Sequence, residues 1–239
     1  MKSLKSKPKH DVDAAIKALY DTLQPSDIIN LDGYDPWYKP WVCIPHGAIR
    51  LHQKQLFGPQ SNYRDTHTVV YFEPKKIFSV TSPKTKWESI EHNAKYRFSV
   101  YRYTKNKFDD DDIAIMFAAA EEIIGTKYDY GQLFDIALNH LLGYEHVRKA
   151  KIFDLGKRRL VCSVGARALY ESVRYNSRKK LGHDKIDRLF GKLNPQFWPI
   201  EEVEKFKRSD VELTSPGHFA NSNMFGGEFE LILNWKQFI

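Results

Sequence analysis

The sequence predicts an α+β fold, in which an antiparallel sheet carries helices packed against one side. Two observations lead to this fold class. The β-rich runs THTVVYF, KIFSVTSP and KYRFSVYRY follow one another, and another such run, GEFELILNW, lies near the end of the sequence. The helical patterns stand in separate blocks and do not alternate with the strands as they would in a parallel βαβ sheet.

The first predicted element is a short helix in DVDAAIKALYDTLQP. Val12, Ile16 and Leu19 recur on one helical face, Asp11 is available as the N-cap, and Pro25 lies beyond the end. Residues 1–10 before this helix are expected to form a loose basic tail.

The apolar run SDIINLDG comes next, and the runs THTVVYF and KIFSVTSP on either side of EPKK then predict a β-hairpin. If EPKK is a four-residue loop, Phe72 pairs with Ile77. Counting outward from that pair places His67 opposite Ser82, with Thr81 beside it.

Two helices are predicted after the strand KYRFSVYRY. In DDDDIAIMFAAAEEIIG, aspartates stand at the helix start and Gly125 follows its end. We interpret these aspartates as cap and dipole partners and not as metal ligands, because adjacent carboxylates at a helix start cannot all reach one ion. GQLFDIALNHLLG is the second helix, in which His140 is a packing residue.

A further helix is predicted in RLVCSVGARALYESV, where Val164, Leu169 and Val173 recur at helical spacing. Cys162 therefore lies near a helix N-terminus. Residues 174–213 are rich in charge and are interrupted by prolines, which indicates a helical insertion or lid.

Composition is that of one globular domain over residues 1–239, with 42% hydrophobic and 28% charged residues. We expect no transmembrane segment and no signal peptide, because no apolar run is long enough and none follows the basic start. A cytoplasmic or virion-associated location is therefore expected. Two cysteines exclude a disulfide framework, and no cofactor or metal is predicted.

The net charge of +7 is compatible with anionic partners. The basic residues cluster in the tail and in residues 148–159 and 174–192. A nucleic-acid partner is not expected, because no zinc-finger, RRM or KH signature accompanies the charge. The sequence leaves the oligomeric state open.

Cys162 is the predicted nucleophile, because a helix N-terminus stabilises a thiolate and lowers the pKa of the thiol. The alternative is a buried structural cysteine. Cys43, in KPWVCIPHG, lies at no predicted helix start and is the weaker candidate. His46 and His52 are interpreted as loop histidines without a metal motif.

His67 is the predicted base, because it begins an apolar strand directly after a polar loop. A neighbouring polar residue would orient its imidazole. Glu73 cannot do so, since it lies six residues along the same strand, about 20 Å away. The orienting residue is then Thr81, Ser82 or Ser79, with Thr81 taken as the catalytic candidate.

Six segments occur in an order that resembles the circularly permuted branch of the NlpC-type papain-like superfamily, which includes the YiiX-like proteins. They are LQPSDIINLDG, DTHTVVYF, FSVTSP, GTKYDYGQLFD, LVCSVGARALYE and TSPGHFANSNMF. The resemblance covers roughly residues 23–233, and the histidine strand precedes the cysteine helix as it does in that branch.

The resemblance implies a papain-like α+β fold and a cysteine hydrolase. His67 would take the proton of Cys162, and the thiolate would attack an amide or ester carbonyl to form an acyl-enzyme. Many relatives carry a glutamate on the strand after the histidine strand, whereas FSVTSP offers only hydroxyl groups. The segment 174–213 has no counterpart that we can map onto the family.

Three functions follow from these observations. The first is a cysteine peptidase or amidase acting on peptides, including those of an anionic cell-wall polymer. The second is a lipid acyl hydrolase or acyltransferase, for which Trp37, Tyr38 and Trp41 would supply an apolar landing surface. The third is a catalytically degenerate binding or structural module, for example in a virus particle.

Overall fold

The structure is a computed structural model that describes residues 10–33, 40–104, 108–128, 159–181, 215–221 and 229–239. The predicted helix with His140, most of the tail and residues 182–213 of the predicted insertion lie outside the described residues.

Six strands form one antiparallel sheet, in the order β4-β3-β2-β1-β5-β8. Two short parallel strands, β6 and β7, pair separately. The strands are β1 (Ile28–Asp32), β2 (His67–Glu73), β3 (Lys76–Ser79), β4 (Lys86–Glu88), β5 (Arg97–Tyr103), β6 (Lys127–Tyr128), β7 (Arg159–Leu160) and β8 (Phe229–Asn234).

The helices pack around this sheet, and a 3-10 turn at Trp235–Phe238 follows β8. The helices are α1 (Val12–Thr22), α2 (Pro40–Phe57), α3 (Ile90–Asn93), α4 (Asp110–Ile123), α5 (Cys162–Leu181) and α6 (Pro216–Ala220). No helix in the described part of the chain is both long and apolar enough to cross a membrane.

The first helix confirms the sequence prediction. The Asp11 carboxylate caps it by accepting hydrogen bonds from the N–H groups of Asp13 and Ala14. His10, which the sequence places in the loose tail, is instead buried, with Nε2 2.7 Å from the Ala94 carbonyl oxygen.

Helices cover both faces of the sheet, so the prediction of helices on one side is wrong. Strand side chains point alternately to opposite faces. Ile29 and Val69 pack with Leu19 of α1, whereas Ile28 and Val70 belong to the core on the other side. We call these the α1 face and the α5 face. On the α5 face, residues of α4 and α5 complete the core.

The β2–β3 hairpin is present, but the predicted register is wrong by one residue. Tyr71, not Phe72, pairs with Ile77, and the pairing shifts between Tyr71 and Glu73. Phe72 forms a β-bulge, so that it has no paired residue in β3. The length of the loop alone does not predict such a bulge. Val69 consequently pairs with Ser79.

The second helix is absent from the sequence prediction. Pro45 and Gly47 are helix breakers, yet Cys43, His46 and His52 all lie within α2, so the assignment of loop histidines is wrong. Cys43 lies in the first turn of this helix, contrary to expectation.

Tertiary hydrogen bonds hold α2 in place. Gln53 Nε2 donates to the carbonyl oxygens of Tyr63 and Asp65, each at 2.8 Å. Arg50 Nη2 lies 2.8 Å from Asp32 Oδ1. These contacts attach the helix to the segment before β2 and offset the poor local propensity.

Candidate functional site

Cys162 is the first residue of α5, as the sequence predicts, and only 3% of it is exposed. The helix approaches β3 closely at Gly165. A Cβ atom on Gly165 would overlap Val80 Cγ2 and come within 3.3 Å of Phe78. This glycine therefore sets the depth at which the first turn of α5 meets the sheet.

The sulfur of Cys162 contacts the backbone on both sides of His67. The thiol faces the carbonyl oxygen of Thr66 at 4.0 Å, and the backbone of Thr68 hydrogen-bonds to the sulfur. The edge of β2 is accessible there because β3 ends at Ser79, which pairs with Val69. Cys162 thus reaches the strand that carries the predicted base.

Burial raises the pKa of the Cys162 thiol. Hydrogen bonds from Thr68, Ser163 and the start of the helix favour the thiolate, but they do not outweigh desolvation. The prediction of a depressed thiol pKa is therefore wrong, and the resting side chain is a neutral thiol near pH 7.

His67 is the first residue of β2, and its imidazole lies on the α1 face with Ser79. Nε2 of His67 is 3.1 Å from the Ser79 hydroxyl. Cys162, in contrast, belongs to the core on the α5 face, and the described contacts join its sulfur to the backbone of Thr66 and Thr68 and not to the His67 imidazole.

Burial lowers the pKa of His67 to about 4. The charge of Glu88 acts in the opposite direction, and the neighbouring His46, Lys86 and His92 lower the pKa further. The imidazole is therefore neutral near pH 7, which is the state required to accept a proton.

The residue that orients His67 is Ser79, not Thr81. Because of the register shift, Ser79 comes within reach of Nε2, while Thr81 lies beyond the end of β3, just before the cis Ser82–Pro83 bond. Ser79 is completely buried. Ser79 is the third of the three orienting residues, Thr81, Ser82 and Ser79, that the sequence analysis considered.

A buried carboxylate on the α1 face was missed from the sequence. Glu88 of β4 pairs with Ile77 and acts electrostatically on His67. Its Oε1 lies 3.1 Å from Lys86 Nζ and 3.6 Å from His92 Nε2. The only sequence signal was the alternation in KWE, which is too short to identify a strand.

Asp65 is a second carboxyl group that the sequence did not single out. It is 4% exposed, and burial together with the nearby Asp32 raises its pKa to about 7. Hydrogen bonds from Asn30 and Asn62 and the charge of Arg50 oppose this shift. The segment before His67 therefore contains a carboxyl group that titrates near neutral pH.

His46 lies at the same end of the sheet. A Cβ atom on Gly33 would come 2.9 Å from His46 Cε1 and 2.9 Å from Thr66 Oγ1. The imidazole of His46 thus rests against the backbone that follows β1, beside the residue whose carbonyl faces Cys162. Among the residues that the structure describes, no three His, Cys, Asp or Glu side chains are grouped so as to hold a metal ion.

No protein-family model and no curated protein matches this sequence. Among solved structures, the chain is similar to the metalloprotein YiiX from Escherichia coli O157:H7, with a TM-score of 0.41 and 15% identity. The similarity covers 88% of this chain and 97% of that chain.

Proposed function

We propose that the protein is a cysteine hydrolase in which Cys162 is the nucleophile, His67 the base and Ser79 the residue that orients the base. One observation carries the proposal: the sulfur contacts the backbone on both sides of a histidine whose Nε2 is already occupied by a hydroxyl group. The segments that resemble the permuted NlpC-type papain-like superfamily support the same assignment.

The reaction begins from a neutral pair. The proton of the Cys162 thiol passes to the unprotonated ring nitrogen of His67 as the sulfur attacks a carbonyl carbon, and the carbonyl electrons move to oxygen. His67 then gives this proton to the leaving amine or alcohol, and water hydrolyses the acyl-enzyme. The raised thiol pKa and lowered imidazole pKa favour this route over a preformed ion pair.

Ser79 holds Nε2 but carries no charge. A hydroxyl group fixes the orientation of the ring, whereas a carboxylate would also stabilise the imidazolium formed during attack. We therefore expect slower turnover than a site with an acidic third residue would give. Amides of peptides are the leading substrate class, and acyl esters of lipids are the alternative.

A degenerate binding module is the second candidate, and the burial of the sulfur favours it. A substrate carbonyl must approach an atom of a residue that is 3% exposed. In a binding module, Cys162 would remain a core residue beside Thr68, as free cysteines often do.

Hydrolysis assays separate the two candidates. The wild-type chain, Cys162→Ala, His67→Ala and the double variant are compared on muropeptides, isopeptides and acyl esters. We expect each single variant to abolish turnover and the double variant to lose no more, because nucleophile and base act as one unit. Full activity of Cys162→Ala, or no hydrolysis of any substrate by the wild type, would contradict the hydrolase proposal and favour the binding module.

A further inference from the structure

The end of the sheet that holds Cys162 contains a second histidine, His46, which the proposed reaction does not yet use. It lies on α2, one helical turn before Ile49, so that the two side chains share a face of the helix. Ile49 packs against Val161 and Val164, which flank Cys162 in sequence. The face of α2 that carries His46 therefore packs against the beginning of α5.

Hydrogen bonds of two further residues fix α2 in this position. Arg50 donates to Asp32 and to the carbonyl oxygen of Gly33, and Gln53 donates to the backbone before β2. His46 continues this row of polar side chains toward Thr66. Its position is therefore determined by the same bonds that hold the start of β2.

Gly33 provides the space for the imidazole. A Cβ atom on this residue would lie only 2.9 Å from both His46 Cε1 and Thr66 Oγ1. The N–H of Gly33 donates to Thr66 Oγ1 at 3.1 Å. His46 is only partly buried, in contrast to Cys162. Of these two groups, the imidazole of His46 is the more exposed to an approaching substrate.

We infer that His46 is a further catalytic residue, which donates a hydrogen bond to the carbonyl oxygen of the substrate as Cys162 attacks. This inference rests on the proposed hydrolase function. Negative charge develops on that oxygen when the sulfur–carbon bond forms, and a donor held in advance by α2 stabilises it. The N–H groups at the start of α5 supply the remaining donors. The donated proton stays on His46, so that His67 alone transfers the proton of the thiol.

The first test separates this role from that of the base. Hydrolysis of p-nitrophenyl acetate and alkylation of Cys162 by iodoacetamide, read by peptide mapping, are measured for wild type, His46→Ala, His46→Gln and His67→Ala. We expect His46→Ala to lower kcat about 100-fold or more, the usual loss when an oxyanion donor is removed, with little change in KM. Glutamine, which keeps an N–H donor, should restore part of the rate.

The alkylation rates distinguish a failure of the role of His46 from a failure of the hydrolase proposal. Alkylation involves no oxyanion, so both His46 variants should react like wild type, while His67→Ala should react more slowly. Wild-type turnover with an unchanged rate in His46→Ala would overturn the role of His46 and leave the hydrolase standing. A wild type that neither turns over ester nor is alkylated at Cys162 would overturn both.

A matched pair of glycine variants moves His46 without removing it. Gly33→Ala places a methyl group against the imidazole, whereas Gly47→Ala, next to His46 on the same helix, meets no atom within 4 Å. We expect Gly33→Ala to reproduce the loss in kcat and Gly47→Ala to keep the wild-type rate. Equal rates for the two variants would contradict the placement of His46 at the reacting carbonyl.

Discussion

At one end of the central sheet Asp27 is bound by a guanidinium group, and at the other end Asp65 is bound by amides. Arg102 donates to both carboxylate oxygens of Asp27, at 2.9 and 2.7 Å. Asp65 accepts from Asn30 and Asn62, and its pKa rises to about 7. Both residues are buried, at 1% and 4% exposure.

Helix α5 connects the two ends. Its first residue, Cys162, lies at the end with Asp65 and His67, and Tyr170 donates a hydrogen bond to the carbonyl oxygen of Ser26 at the end with Asp27. A paired charge therefore anchors the sheet where no chemistry is proposed. Groups that are neutral near pH 7 or titrate close to it gather where the chemistry is proposed.

The largest expected effect is at the anchored end. Arg102→Met should lower the free energy of unfolding by about 3 kcal/mol or more, because it leaves the Asp27 carboxylate buried without its partner. Arg50→Met is the matched control, since the Arg50 side chain is 26% exposed against 25% for Arg102, and its partner Asp32 is more exposed than Asp27. Urea denaturation should show a loss of about 1 kcal/mol for that control. Equal losses would remove the contrast between the two ends.

The pH dependence of stability tests the opposite end. The folded-state pKa of Asp65 is raised to about 7, so its contribution to stability is complete below the ordinary pKa of 3.8 and is lost as the pH rises toward 7. The folded-state pKa of His67 is lowered to about 4, so its contribution is complete above 6.5 and is lost as the pH falls toward 4. Each effect is on the order of 3 kcal/mol, and the two oppose each other.

Single variants separate the effect of Asp65 on the pH dependence of stability from that of His67. Relative to wild type, the unfolding free energy of Asp65→Asn should rise more steeply between pH 4 and 7, because only the His67 effect remains. His67→Gln should show the reverse slope. Parallel profiles for wild type and both variants, from urea denaturation at several pH values, would show that neither group is perturbed.

A smaller effect is expected at the contact of α5 with the sheet. Gly165→Ala should lower the free energy of unfolding by about 1 to 3 kcal/mol, because its methyl group overlaps Val80 and the helix must shift. The shift should also slow alkylation at Cys162. Gly47→Ala, whose methyl group meets open space, serves as the control. A Gly165→Ala variant as stable as wild type would contradict the close approach of helix and strand.

The smallest expected effect concerns the residue that orients His67. Ser79→Ala should slow turnover about fivefold, which corresponds to the loss of one neutral hydrogen bond worth roughly 1 kcal/mol. Thr81→Ala should keep the wild-type rate. Steady-state kinetics on the same ester compares them, and a larger loss for Thr81→Ala than for Ser79→Ala would contradict the assignment of Ser79 as the orienting residue.

The sequence predicted the elements whose signals are local. The cap at Asp11, the hairpin, and the helix that begins at Cys162 all follow from short-range patterns. It did not predict α2, because tertiary hydrogen bonds of Arg50 and Gln53 hold a helix that contains Pro45 and Gly47.

The candidate site was predicted in part. Cys162 contacts the backbone of the strand that carries His67, and Ser79, not Thr81, is the hydroxyl residue that reaches the imidazole after a single register shift. The pKa of Cys162 was predicted in the wrong direction, because the depth of burial depends on packing such as that at Gly165 and not on the helix start alone.

The most direct test of the central claim is the mass of the protein after rapid mixing with p-nitrophenyl acetate. If Cys162 is the nucleophile and His67 its base, an acetyl group should appear on Cys162 in the wild type, form at least about tenfold more slowly in His67→Ala, and be absent in Cys162→Ala. Acetylation that is confined to Cys43, or that proceeds equally fast without His67, would contradict the account.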